Sequence, residues 1–251
     1  MRDAESVLEG KNAVVEALRR GMAVERLFVR EGKPDAAIDT VIREAKRREV
    51  RIEFVSKTRL DQLSETGKHQ GVLAYTSEVG FVAVEDILEI AEEKQEAPFL
   101  ILLDGVTDPH NLGAIIRTAN ACGAHGVITK KHGSVGLTGT VAKASAGAVF
   151  HTPVARVTNL SRTIEDLKKR GLWFVCADMD AAEPMHRLNL TGPIGLVIGD
   201  EGKGVSELVK KHCDLVAAIP MRGEMESLNA SVAAGVLAYE IVRQRLEAEN
   251  G

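Results

Sequence analysis

Three stretches carry residue types suited to chemistry. In the first, Asn111 precedes Arg117, and Arg117 is the only charge between positions 112 and 122, amid Ala114, Ile115, Ile116 and Ala119. An arginine so placed either pairs with a carboxylate, because an unpaired buried charge is costly, or faces a pocket, where its planar fork suits a phosphate. Six positions turn an ideal helix by roughly 120° net, so Asn111 and Arg117 share a site only if Asn111 sits at the turn before the helix. In the second stretch, Leu196-Val197-Ile198 runs into Gly199-Asp200-Glu201-Gly202-Lys203-Gly204. Its glycines let backbone approach a ligand without a Cβ clash, although a plain strand-to-helix turn reads the same way. In the third, Ile219-Pro220-Met221 leads to Ser227-Leu228-Asn229-Ala230-Ser231, where Ser and Asn are also preferred helix caps.

The Gly-rich stretch is no Walker loop, because Gly204 follows Lys203 where Ser or Thr would be required. No G-x-G-x-x-G follows a strand, which leaves a nicotinamide dehydrogenase unsupported. Ser227 lacks a His/Asp triad context, and the seven histidines show no ligand spacing, so no metal is expected. The three cysteines are odd in number and widely spaced, which disfavours a disulfide framework and fits a reducing cytoplasm. Residues 1–5 carry mixed charge without an apolar core, so no signal peptide is expected. No apolar run reaches the roughly 18–20 residues of a membrane span.

The elements that must position these stretches follow from periodicity. Apolar content of 45% with 27% charged residues over 251 positions is that of a globular protein with one large or two modest domains. Residues 1–77 alternate short helical and strand patterns: helix from Gly10 to a stop at Gly21, strand 26–29, helix 38–48, strand 50–55, a turn or two of helix at 58–64, and strand 71–75. Residues 78–97 read as a linker containing a short helix, 84–93, whose acidic run is a solvated face. From Phe99 a second α/β pattern begins, with strands at 99–103, 126–129, 154–157, 173–177, 194–198 and 215–219. Helices follow at 112–122, 160–170, 205–211 and 228–246, with an Ala-rich segment at 141–148. The apolar runs at 99–103 and 194–198 are those of strands buried on both faces, as in a parallel sheet. Residues 1–77 carry 15 Lys+Arg against 13 Asp+Glu and the remainder 17 against 23, a mild asymmetry compatible with a nucleic-acid partner. Only 4% of residues are aromatic, which argues against base stacking as the main means of holding single strands.

The order of the three stretches is more specific than any one of them. An N-x-x-x-x-x-R helix after a buried strand, then strand-G-x-E-G-x-G, then I-P-M with E-S-L-N-A-S-V-A, resembles the SpoU family of RNA ribose 2′-O-methyltransferases within the SPOUT superfamily. Residues 104–119, 197–204 and 219–233 are similar to that family's three motifs, and Gly10-Lys11-Asn12-Ala13-Val14 with His69-Gln70-Gly71-Val72 resembles its N-terminal substrate-binding domain. The resemblance implies a C-terminal SPOUT-type α/β domain at 98–251 with a deep trefoil knot over about 194–246, and a small N-terminal α/β RNA-binding domain at 1–77. It implies S-adenosylmethionine held by Gly199, Ile219, Met221 and Leu228. It places Arg117 at the reacting centre, with Asn111, Glu201, Ser227 and Asn229 around it, and puts the site at a homodimer interface. Because a guanidinium is not deprotonated in proteins, Arg117 reads better as a clamp on the adjacent phosphate, with the proton acceptor left open. The implied reaction is methylation of a ribose 2′-hydroxyl, of a guanosine in 23S rRNA by the nearest members, and DNA lacks that hydroxyl. A tRNA 2′-O-methyltransferase and a catalytically silent RNA-binding homologue are the alternatives. Arg19, Arg20, Arg26, Arg43, Lys46, Arg47, Arg48 and Lys68 are the expected phosphate contacts.

Overall fold

The structure is a computed structural model that describes residues 6–20, 22, 24–76 and 79–250. It divides into two compact units: Met1–Gly80 with Gly136–His151, and Phe81–Val135 with Thr152–Gly251. The stop expected at Gly21 and the charged residues 1–5 lie outside the described residues.

In the first unit, β1 (Ser6–Glu9), α1 (Lys11–Arg20), β2 (Val24–Arg30), α2 (Ala36–Arg47), β3 (Ile52–Val55), α3 (Lys57–Leu63) and β4 (Val72–Thr76) build a four-stranded sheet of order β1-β4-β2-β3. Apolar residues spaced three and four apart bury Ala13, Val14, Ala17 and Leu18 of α1 and Ile38, Val41 and Ala45 of α2. Phe28, Leu60 and Leu73 form a second cluster beneath α3. The four-residue β1 was not expected; its signal is too short to show a period.

Residues 136–151 were assigned to the second domain by sequence, yet they pack within the first unit. The reason is a close approach of α6 (Gly139–Ala144) to β1: a Cβ at Gly139 would stand 1.6 Å from the Val7 carbonyl oxygen. Lys143 of α6 donates to Thr66 Oγ1 and the Lys68 carbonyl, both at 2.8 Å, and pairs with buried Glu9.

Residues 78–97 are not a free linker either. They contain α4 (Val84–Lys94), whose acidic residues are exposed as expected, but whose Ile87, Leu88 and Ala91 are buried. Ile87 and Leu88 join the core of the second unit. That unit continues with β5 (Phe99–Asp104), α5 (Pro109–Ala121), β6 (Gly126–Lys130), β7 (Val154–Val157), α7 (Leu160–Lys168), β8 (Trp173–Ala177), β9 (Ile194–Gly199), α8 (Glu207–Lys210), β10 (Leu215–Ala217) and α9 (Ala230–Asn250). Its six strands are all parallel, in the order β10-β8-β9-β5-β6-β7. Every residue of β5 and β9 is buried, which explains their unbroken apolar runs. Helices α5 and α9 pack against one another.

At the carboxyl end of β5, paired in register with Gly199, sits Asp104, 3% exposed. It accepts from Lys130 Nζ at 2.7 Å and from the Ser206 amide at 2.8 Å, tying the segment after β9 to the centre of the sheet. Burial pushes its carboxyl up, but the bonds from Lys130 and Ser206 outweigh that and hold it below the usual carboxylate range. A depressed folded-state pKa stabilises above the unfolded value and is lost as pH falls through the folded one. Asp104→Asn is therefore expected to cost about 1.5–3 kcal/mol at pH 7. The difference from wild type should shrink as denaturant melts are taken down through the carboxylate range; a constant deficit would assign the loss to packing.

Candidate active site

The turn after β9 is built by its own backbone. The Asp200 amide donates to the Gly204 carbonyl at 3.1 Å and the Gly204 amide donates back at 2.8 Å. Asp200 Oδ1 accepts from the amides of Gly202 at 3.0 Å and Lys203 at 3.1 Å, the side-chain turn for which Asp is suited. A Cβ at Gly199 would lie 2.0 Å from the Gly204 carbonyl carbon, and Gly204 itself has φ +67°. Two of the glycines thus serve the turn's own closure, the strand-to-helix role that the sequence left open beside room for a ligand.

A cavity of about 330 Å³ opens beside this turn. The ends of β8, β9 and β10 and the start of α9 supply its lining, which includes Gly199, Glu201, Ile219, Met221, Ser227 and Leu228. All four residues expected to hold the cofactor therefore line one cavity, as do two of the five expected around the reaction. Its wall is apolar at Ala177, Ile198, Ala217, Ile219, Leu228 and Ala233. Its lining also carries six carboxylates (Asp178, Asp180, Asp200, Glu201, Glu207 and Glu226) against Lys203 and Lys210, a net negative charge that favours a cationic ligand.

The turn connects to the other motifs through one chain of hydrogen bonds. Asn111 Nδ2 donates to Glu201 Oε2 at 3.1 Å, and Asn229 Nδ2 donates to Asn111 Oδ1 at 3.0 Å. Asn229 Oδ1 accepts from the Ser231 amide at 2.9 Å and from the Ser231 hydroxyl at 2.6 Å. Asn229 is thus the helix cap that its residue type suggests and, through its other end, a partner of Asn111. Ser227 is exposed on the cavity wall.

Arg117 does not join this group. Asn111 is the third residue of α5 rather than part of the preceding turn, so helical geometry points the two side chains about 120° apart. Among the described residues, Arg117 is exposed without an ion pair and is absent from the cavity lining. Neither alternative from the sequence holds within one chain.

Sequence reasoning missed Asp178 and Lys210, which line the cavity and form an ion pair with each other. Their signal was weak: Asp178 follows the strand at β8, where ligands gather in open α/β sheets, and Lys210 lies on α8, after β9. The Lys210 ammonium holds the Asp178 carboxyl below its ordinary range. Among the described residues, no cluster of His, Cys, Asp and Glu is placed to hold a metal ion, and no helix is long and apolar enough to cross a membrane.

The motifs that meet here fall within one family model, the SpoU rRNA methylase family, which matches residues 98–239. The chain belongs to that family of RNA methyltransferases. A second model, described as RNA 2′-O ribose methyltransferase substrate binding, matches residues 7–82. Among similar proteins, YacO of Bacillus subtilis, classed as a TrmH family tRNA/rRNA methyltransferase, is 48% identical over 236 residues, which cover 94% of each chain. The SpoU methyltransferase AviRb of Streptomyces viridochromogenes, in complex with AdoMet, superposes with a TM-score of 0.81 at 26% identity, covering 98% of this chain and 92% of AviRb. An AdoMet-bound rRNA methyltransferase of Sinorhizobium meliloti gives 0.78 at 25% identity, covering 95% and 87%.

If the SpoU turn is closed by its own backbone, Gly199→Ala must open it. Calorimetric titration of S-adenosylmethionine should then show at least tenfold weaker binding, on the order of 1.4 kcal/mol. Unchanged affinity would mean that the turn does not shape the cavity.

Proposed function

We propose that this protein methylates a ribose 2′-hydroxyl of RNA, most specifically a guanosine of 23S rRNA, using S-adenosylmethionine bound in the cavity beside the β9 turn. The observation that carries this reading is the Glu201–Asn111–Asn229 chain, which gathers three distant motifs at the cavity's edge. The cavity suits the cofactor: an apolar wall for the adenine, and a net negative lining for a molecule bearing a sulfonium and an ammonium. Gly199, Ile219, Met221 and Leu228 would hold it, and when bound it supplies an electrophilic methyl group. The AdoMet complexes of AviRb and of the Sinorhizobium meliloti rRNA methyltransferase support the assignment. The latter, together with the separate N-terminal unit, favours rRNA over tRNA.

The protein's own contribution is alignment and charge. A ribose hydroxyl is a weak nucleophile and gains most from being held close to its target and in line. Asn111, fixed at both ends, positions the Glu201 carboxylate at the cavity, where it stabilises positive charge and can accept a hydrogen bond from the incoming hydroxyl. Ser227 and Asn229 orient the same region from the other wall. Arg117 clamps the phosphate next to the target ribose, in the site of a second copy of the chain. Two observations support such a homodimer. Arg117 stands apart from its own Asn111, and α9 exposes Val232, Tyr239 and Leu246, which are 50%, 51% and 52% accessible and recur every seven residues. The implied knot is supported by the insertion of β9 between β5 and β8.

The first unit would select the RNA. Of the expected phosphate contacts, Arg19 and Arg47 pair with Glu44, Arg48 donates to the Arg19 carbonyl, and Arg20 is engaged by Glu16 and His151. Arg26 lies over the Tyr75 ring at 4.8 Å. Arg43, Lys46 and Lys68 are exposed and remain the best placed for phosphate.

The decisive experiment maps 2′-O-methylation in RNA from cells lacking the protein, before and after incubation with it and S-adenosylmethionine. One ribose should regain its methyl; methylation of a base would overturn the reading. Asn111→Ala should lower kcat on the order of a hundredfold, with cofactor affinity held within about threefold. Arg117→Lys retaining most activity would remove the bidentate clamp. Tyr239→Glu should shift the sedimenting species from dimer to monomer, and an unchanged dimer would place the interface elsewhere.

A further inference from the structure

The sheet order sets up a division of labour along the cavity floor. Strand β8 lies between β10 and β9. Ala217 ends β10 and Ile219 lies beyond it, both on the apolar wall; Gly199 ends β9 and Glu201 lies beyond it, bonded to Asn111. The residue that leaves β8 between them is Asp178, whose own amide donates to the Ala217 carbonyl at 3.1 Å. Adenosine has the same order: a flat apolar base at one end, a ribose in the middle, and the reactive 5′ substituent at the other. A cofactor with its base against the β10 wall and its reacting end toward Glu201 would place its ribose beside Asp178, at the end of β8.

A carboxylate suits that position, since it can accept from both hydroxyls of a cis-diol, as acidic residues near strand ends do in dinucleotide folds. Asp178 is also preorganised. Its Oδ2 accepts from Lys210 Nζ and its Oδ1 from the Asp180 amide at 2.8 Å. Each oxygen keeps further acceptor capacity, because an ionised carboxylate offers about four lone-pair sites. Asp178 is half-buried, its side chain 17% exposed, on the cavity lining. The nearby Asp180 is exposed, which leaves Asp178 as the fixed acceptor.

We propose that Asp178, anchored by Lys210, binds the ribose cis-diol of the adenosyl cofactor. The inference rests on the S-adenosylmethionine reading of the cavity and adds a residue outside the three family motifs. It is tested by calorimetry with S-adenosylmethionine, 5′-methylthioadenosine and the 2′-deoxy form of the latter. Wild type should bind methylthioadenosine more tightly than its deoxy form, on the order of tenfold for a lost charge-assisted hydrogen bond. Asp178→Asn should weaken S-adenosylmethionine and methylthioadenosine by a similar factor and bind the two thioadenosines nearly alike, closing a cycle between hydroxyl and carboxylate. A variant that weakens S-adenosylmethionine alone would move Asp178 to the amino-acid end, and one that keeps the wild-type preference would assign the hydroxyl to another group; either overturns the proposal. Should the variant fail to fold, the wild-type comparison decides, since equal affinity for both thioadenosines leaves no diol contact to assign. Failure of wild type to bind S-adenosylmethionine at all would instead remove the underlying reading.

Discussion

The site depends on one constraint, the closure of the β9 turn on itself. Backbone occupies the space where a Cβ of Gly199 would lie, and the segment beyond is fastened to the sheet by the Asp104 carboxylate through the Ser206 amide. A buried carboxylate is costly unless its bonds are made, and here Lys130 supplies the opposing charge. Glu201 reaches Asn111 from this turn, and Gly199 and Val205 line the cavity on it. Loosening the closure would therefore disturb the cavity wall and the polar chain together.

Polar groups in the second unit perform paired tasks. Asn229 caps a 21-residue helix with its oxygen and binds Asn111 with its nitrogen. Asn111 in turn accepts from Asn229 and donates to Glu201, using both ends of one amide while only 8% exposed. An amide is suited to this because it offers donor and acceptor on one rigid group, and a carboxylate there would repel Glu201. The Asp178–Lys210 pair does the corresponding task on the other side of the cavity, with charge in place of an amide.

Much of this architecture was legible in the sequence. The unbroken apolar runs at β5 and β9 announced buried parallel strands. Motif order also grouped Gly199, Ile219, Met221 and Leu228, which do line one cavity. What escaped was set by contacts remote in sequence. The packing of residue 139 against residue 7 has no local signature beyond a glycine. The separation of Arg117 from Asn111 turned on whether the helix began before or after Asn111, a shift of a few positions that sequence patterns do not fix. The acidic surface of α4 masked three inward apolar residues that make it part of a core.

The return of residues 136–151 to the first unit carries a consequence for how such a chain is inherited and cut. The polypeptide passes between the two units three times rather than once. No single break therefore yields two self-sufficient pieces: a fragment beginning after the first unit would still carry Val141, Ala142 and Val149, apolar side chains buried in the intact chain against a unit no longer there. Exposed apolar surface of that kind promotes association. Shuffling or deleting the N-terminal unit thus requires rebuilding this excursion as well, although each unit has its own sheet.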